Sequence, residues 1–183
     1  MNELKKIDAH DELSQYLNTS SKQKVLLLID KIREEPELIN QVYKLAVSNE
    51  HPVAWRASWT LVHLSNSEPD LIEPFIPKII RDIRHLKVDR QVASLLQILT
   101  KFEFSALEAG HLFDLAISIL HNTTKQMYFK LYALQFLIRF TKIVPEMIPE
   151  LLLSLDDEDL ISQNKYIRKQ LKNLKEKLSI KDE

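Results

Sequence analysis

In 183 residues the chain carries a single glycine, Gly110. Loops that cradle phosphates need several glycines, because the backbone there must approach its ligand closely or adopt positive φ. Hairpin-rich sheets lean on glycine at their turns. One glycine therefore argues against nucleotide-binding α/β folds and against most all-β folds. What remains is a helical chain whose breaks are made by proline and short polar stretches. Gly110 itself falls inside a helical pattern, and close helix–helix approach is its expected role.

Apolar residues recur with helical spacing nearly throughout. The pattern predicts helices over 10–18, 21–35, 37–49, 52–65, 70–86, 89–103, 105–121, 125–142, 146–155 and 159–178. Between them lie NTSS, Glu35-Pro36, Glu50-His51-Pro52, SNSEPD, HNTT and LDDED, all of which interrupt helices. No linker or low-complexity stretch divides the chain, so a single domain over 1–183 is expected. Apolar residues at 45% and charged residues at 28% suit a globular protein with a sizeable core.

The helices keep a common period. Leu61, Leu96, Leu134 and Leu171 fall in one column with steps of 35, 38 and 37. Leu64, Leu99, Leu137 and Leu174 repeat it three residues on. In the alternate helices Ile39, Ile76, Phe113 and Ile148 are separated by 37, 37 and 35. The stretch FIPKII at 75–80 returns as MIPELL at 147–152, an offset of 72. Four helix-pair units account for both columns, each burying leucines that a lone pair would leave exposed.

A run of such pairs, with proline inside the first helix and small or aliphatic residues opening the second, resembles HEAT and armadillo-type repeats. The resemblance covers about Pro36 to Leu178. It departs from the HEAT pattern of Asp-Pro and Val-Arg at His51-Pro52-Val53-Ala54, where Ala54 fills the arginine slot, and at Val88-Asp89. The fold it implies is all-α: a right-handed α-α superhelix of about four HEAT/ARM-like helix pairs at 36–178. Residues 1–35 supply N-terminal capping helices and 179–183 a short tail. A compact helical bundle is the alternative.

Second helices of HEAT-like units line the concave surface, so the resemblance implies a strip of aligned residues. If Leu61 and Leu64 face the core, Trp55, Trp59, Val62 and Asn66 lie on another face of their helix. The columns carry that stripe to Arg90, Ser94, Gln97 and Lys101, then to Tyr128, Tyr132, Gln135 and Arg139. Its last members are Lys165, Lys169, Lys172 and Glu176. Six basic residues against one acid stand out in a chain of net charge -1. Aromatic platforms beside cations suit an acidic peptide, a phosphorylated segment or single-stranded nucleic acid.

Simpler readings compete with each of these. Tryptophan is highly buried on average, so inter-helix packing is favoured for Trp59, while Trp55 divides evenly between packing and recognition. The lysines complement the macrodipole of a last helix opened by Asp156, Asp157, Glu158 and Asp159. A second basic series, Lys78, Arg81, Arg84, Lys87 and Arg90, reads first as a solvated face and second as an extension of the strip.

Catalytic chemistry finds little support. The chain has no cysteine, no HExxH, no GxSxG and no phosphate loop. Asp82/His85 and Glu108/His111 have i, i+3 spacing, which a metal-binding helical bundle would use, but their supporting glutamates cannot be identified. Some HEAT-like folds are alkylpurine DNA glycosylases that use aromatic residues in a basic cleft. Trp55, Arg56 and Trp59 raise that alternative, and the near-neutral charge weighs against it. The N-terminus has no apolar signal region and no apolar run is long enough to span a bilayer, so a cytoplasmic protein is expected. The reading is a non-catalytic binding or scaffold module with no cofactor. It engages an extended protein or peptide partner along the second-helix face, with nucleic acid second.

Overall fold

The computed structural model describes residues 21–155 continuously, with positions 13, 15–19, 165, 168–170, 172–173 and 176 in addition. Every regular element among them is helical. By their internal contacts the residues fall into two compact units, Met1–Phe104 and Ser105–Glu183.

In the first unit α1 (Lys22–Glu34) is followed by α2 (Leu38–Ala46) and α3 (Val53–Ser67). The next predicted helix, 70–86, is broken. It runs as α4 (Pro69–Ile72), a 3-10 turn at Glu73–Phe75, α5 (Ile76–Asp82) and a second 3-10 turn at Ile83–His85. Pro74 and Pro77 explain the first break, because neither supplies the N–H a continuous α-helix needs. Then comes α6 (Asp89–Leu99), which ends short of the predicted 103.

α3 is the centre of this unit, packed against α1, α2 and α6. Ser21 caps α1, its hydroxyl accepting from the Lys24 N–H at 3.4 Å. Arg33 near the end of α1 reaches Glu68 beyond α3 at 2.6 Å. Of the expected short N-terminal helix, Leu13 and Leu17 are described, both helical and both buried.

The second unit contains α7 (Ala106–His121), α8 (Met127–Ile143), a 3-10 turn at Pro145–Met147 and α9 (Ile148–Ser154). α7 packs along α8, with Phe113 and Phe140 in ring contact at 5.4 Å. Ser105 caps α7 by accepting from the Glu108 N–H. The internal repeat has a structural counterpart. Glu73–Phe75 and Pro145–Met147 are both 3-10 turns, and α5 and α9 both begin at an Ile-Pro and run seven residues.

The leucine columns behave as the period requires. Leu61, Leu64, Leu96, Leu99, Leu134 and Leu137 are all buried. Leu171 and Leu174 lie outside the described residues. Ile39, Ile76 and Phe113 are buried, and Ile148 is half-buried. Gly110 corrects its expectation: a Cβ built there meets nothing within 4 Å, and its φ is not positive. It marks no close helix approach. The space a side chain would take there is open.

Candidate functional site

The sequence columns place residues on adjacent second helices 35 positions apart in the first unit, and the structure pairs them physically. Arg90 opens α6 and lays its guanidinium over the Trp55 ring at the start of α3, 4.9 Å from the centroid. Arg56 approaches the same ring at 5.4 Å, while its Nη1 donates to the Leu17 carbonyl at 2.8 Å. At the other end Lys101 Nζ, just past α6, donates to Asn66 Oδ1 at 2.6 Å and to Ser65 Oγ at 2.9 Å. Trp55 with Arg90 and Asn66 with Lys101 are thus the end rungs of one ladder.

Between the ends lie Trp59 and His63 on α3, with Ser94 and Gln97 on α6. All four are half-buried. Trp59 meets His63 edge to face at 5.0 Å. Here the strip differs from its sequence version. Val62 is only 5% exposed and belongs to the core, so its place on the surface face goes to His63. Both lie one turn from Trp59, at i+3 and i+4. The polar member of such a pair faces water, a signal that the sequence offered and that the stripe as drawn overlooked.

The electrostatics of the ladder are one-sided. Neither Arg90 nor Lys101 is within ion-pair distance of a carboxylate among the described residues, and their partners are uncharged. Burial pushes the Lys101 ammonium below its ordinary value. His63 is also held low, first by burial and then by the charges of Lys22 and Lys101, which disfavour a third cation nearby. The outer series Lys78, Arg81, Arg84, Lys87 and Arg90 is exposed throughout. Arg81 bonds Asp82 at 2.9 Å, Arg84 bonds His85 at 3.1 Å, and Lys78 lies over Phe75 at 4.7 Å.

In the second unit Tyr128, Tyr132, Gln135 and Arg139 lie along α8, all half-buried. Lys165, Lys169, Lys172 and Glu176 occupy helical, described positions and none is buried; Lys172 and Glu176 approach to 3.7 Å. Asp156 to Asp159, the proposed acidic start of that helix, lie outside the described residues.

Of the two carboxylate–histidine pairs, Asp82 and His85 are engaged with other partners. Asp82 accepts from the Tyr43 hydroxyl through Oδ2 at 2.9 Å and from Arg81 through Oδ1. Burial, and then the Asp82 bond and charge, hold the Tyr43 hydroxyl well above the usual tyrosine range. His85 Nε2 accepts from Arg84. Among the described residues no three His, Asp or Glu side chains gather as metal ligands would. No described helix is long and apolar enough to cross a membrane.

A family model for the HEAT repeat domain matches residues 10–178, nearly the whole chain. The chain belongs to the HEAT repeat family. Its paired helices are therefore HEAT repeats, and the departures at Ala54 and Val88-Asp89 are variation within that family. No curated protein and no solved structure matches the chain. The match thus establishes the helical-repeat fold, and a binding role has to be argued from the side chains.

Proposed function

We propose that the protein is a non-catalytic binding module that engages an extended acidic protein segment along its second-helix faces. The observation that carries this reading is the ladder in the first unit. Two cations are held at its ends by uncharged partners, Arg90 over Trp55 and Lys101 by Asn66 and Ser65, and Trp59 lies between them. Such an arrangement presents positive charge at fixed places instead of neutralising it internally. Family membership agrees, since HEAT repeats generally mediate protein interactions and are typically non-catalytic.

Trp55, Trp59, Arg90 and Lys101 are the binding residues of the first unit. Tyr128, Tyr132 and Arg139, and separately Lys165, Lys169 and Lys172, are the corresponding second-helix residues of the second. The test is a titration of the protein with a fluorescent polyglutamate peptide at several salt concentrations. Binding should weaken steeply with salt and should fall on Trp55→Ala with little loss of folding. Binding of the peptide unaffected by Trp55→Ala, by Arg90→Glu and by Lys165→Glu with Lys169→Glu would refute the reading.

A further inference from the structure

The two cations of the ladder are held at a fixed separation. Arg90 and Lys101 stand eleven residues apart along α6 and its last turn, which corresponds to about 16 Å at 1.5 Å per residue. Each is fixed in place: the Arg90 guanidinium by the face of Trp55, the Lys101 ammonium by Asn66 and Ser65. An extended peptide advances about 3.3 Å per residue and sends alternate side chains to one face. Residues i and i+4 of such a peptide share a face and lie about 13 Å apart, a span that two glutamate side chains extend to the cations. Residue i+2 then points at the middle of the ladder, where the half-buried Trp59 ring lies edge to face with His63. Residues two apart span only about 7 Å and reach one cation at a time.

We infer that the ladder recognises a segment of the form acidic–x–apolar–x–acidic lying in extended conformation along α3 and α6. One carboxylate meets Arg90 beside Trp55, the apolar side chain covers Trp59, and the second carboxylate meets Lys101. This rests on the reading of the second-helix face as a site for acidic segments, and it adds spacing and register. Charge complementarity selects the occupant. The single-stranded nucleic acid that the same chemistry could stack and pair with is an outcome of the test.

The test uses the full chain and three short fluorescein-labelled peptides of equal charge and composition. Their two glutamates stand four apart around a leucine, two apart, or adjacent; two further peptides carry glutamine for one or other glutamate of the first. Binding is read by fluorescence polarisation against wild type, Arg90→Gln and Lys101→Gln, each checked by circular dichroism and melting temperature. The four-apart peptide should bind at least about fivefold more tightly than the two-apart peptide. Each variant should lose about five- to tenfold affinity, the range of a charge-assisted contact. That loss should vanish for the peptide whose corresponding glutamate is already glutamine, so that each variant is coupled to one peptide end.

Equal affinity for all spacings, with both variants weakened alike, would overturn the spacing while leaving the broader acidic-segment reading intact. Polyglutamate binding without any binding of the short peptides would do the same. Tighter binding of an oligothymidylate, lost in the same two variants, would replace the peptide with nucleic acid and refute the proposal.

Discussion

Gln91 offers the sharpest test of how the repeats are joined. It lies in the first turn of α6, is 1% exposed, and is polar in a core of aliphatic side chains. Its Nε2 donates to the Ala46 carbonyl at 2.8 Å and to the Ser48 carbonyl at 2.9 Å. Those carbonyls belong to the end of α2, where the helix can no longer satisfy its own acceptors. Tyr43 and Leu45 carbonyls find local donors in the Val47 and Ser48 N–H groups. Ala46 and Ser48 depend on Gln91.

Gln91→Leu keeps nearly the same volume and removes both donors. The Ala46 bond is buried, so stranding that carbonyl costs about 1–3 kcal/mol. The Ser48 bond is less enclosed and water replaces part of it, at a cost of about 0.5–1 kcal/mol. A loss of about 2–3 kcal/mol follows, or about 5–10 °C in melting temperature for a chain this size. Gln91→Glu should cost more at pH 7, because it aims a buried carboxylate at two carbonyl oxygens. Part of that loss should return on acidification, since the protonated carboxyl regains one donor. Urea unfolding followed at 222 nm measures all three proteins. A Leu variant within about 0.5 kcal/mol of wild type, below the net worth of even one hydrogen bond, would refute the argument. So would a Glu variant no worse than Leu at pH 7.

Gly110→Ala should stabilise the protein by about 0.5–1 kcal/mol, since the added methyl meets open space and the helix gains propensity; a loss measured by urea unfolding would contradict the absence of neighbours. Trp59→Ala should cost about 1–3 kcal/mol, less than for a fully buried tryptophan because the side chain is only half-buried; thermal melts measure the loss. His63 is depressed in the folded state, so the unfolded chain binds the proton more readily and stability is lost as pH falls from above 6.5 through the folded value. His63→Gln should remove that component, narrowing the gap between melting temperatures at pH 7.5 and pH 5.5. Tyr43→Phe should cost about 1–2 kcal/mol by leaving Asp82 Oδ2 without its hydroxyl donor while Oδ1 keeps Arg81, measured by the same urea unfolding.

The core was legible because burial repeats and chemistry does not have to. Leu61, Leu96 and Leu134 solve the same packing problem in successive pairs, so the period wrote itself into residue type. The ladder was half legible by the same route. The leucine columns fixed the angular position of Trp55, Asn66, Arg90 and Lys101 as well, and those four meet in the pairs the columns imply. Val62 and His63 show the limit, since two residues straddling the same direction are separated only by their polarity and by the neighbours of the helix. Gln91 and Tyr43 lay beyond it. Their partners, Ala46, Ser48 and Asp82, are set by how consecutive pairs dock, and hydrogen bonds between residues 39, 43 or 45 positions apart leave no periodic trace.

The broken helix at Pro69–His85 marks another boundary of what spacing can tell. Apolar positions 72, 75, 76, 79, 80 and 83 are all buried, so the stripe that predicted one long helix is real. Prolines 74 and 77 change the hydrogen bonding without moving the stripe off the core, because a 3-10 turn advances its side chains by nearly the same angle. The turn at Pro145–Met147 repeats the solution ahead of α9. Recurrence at an offset of 72 turns what would be a local accident into part of the repeat, since the same 3-10 turn precedes an Ile-Pro helix in both places.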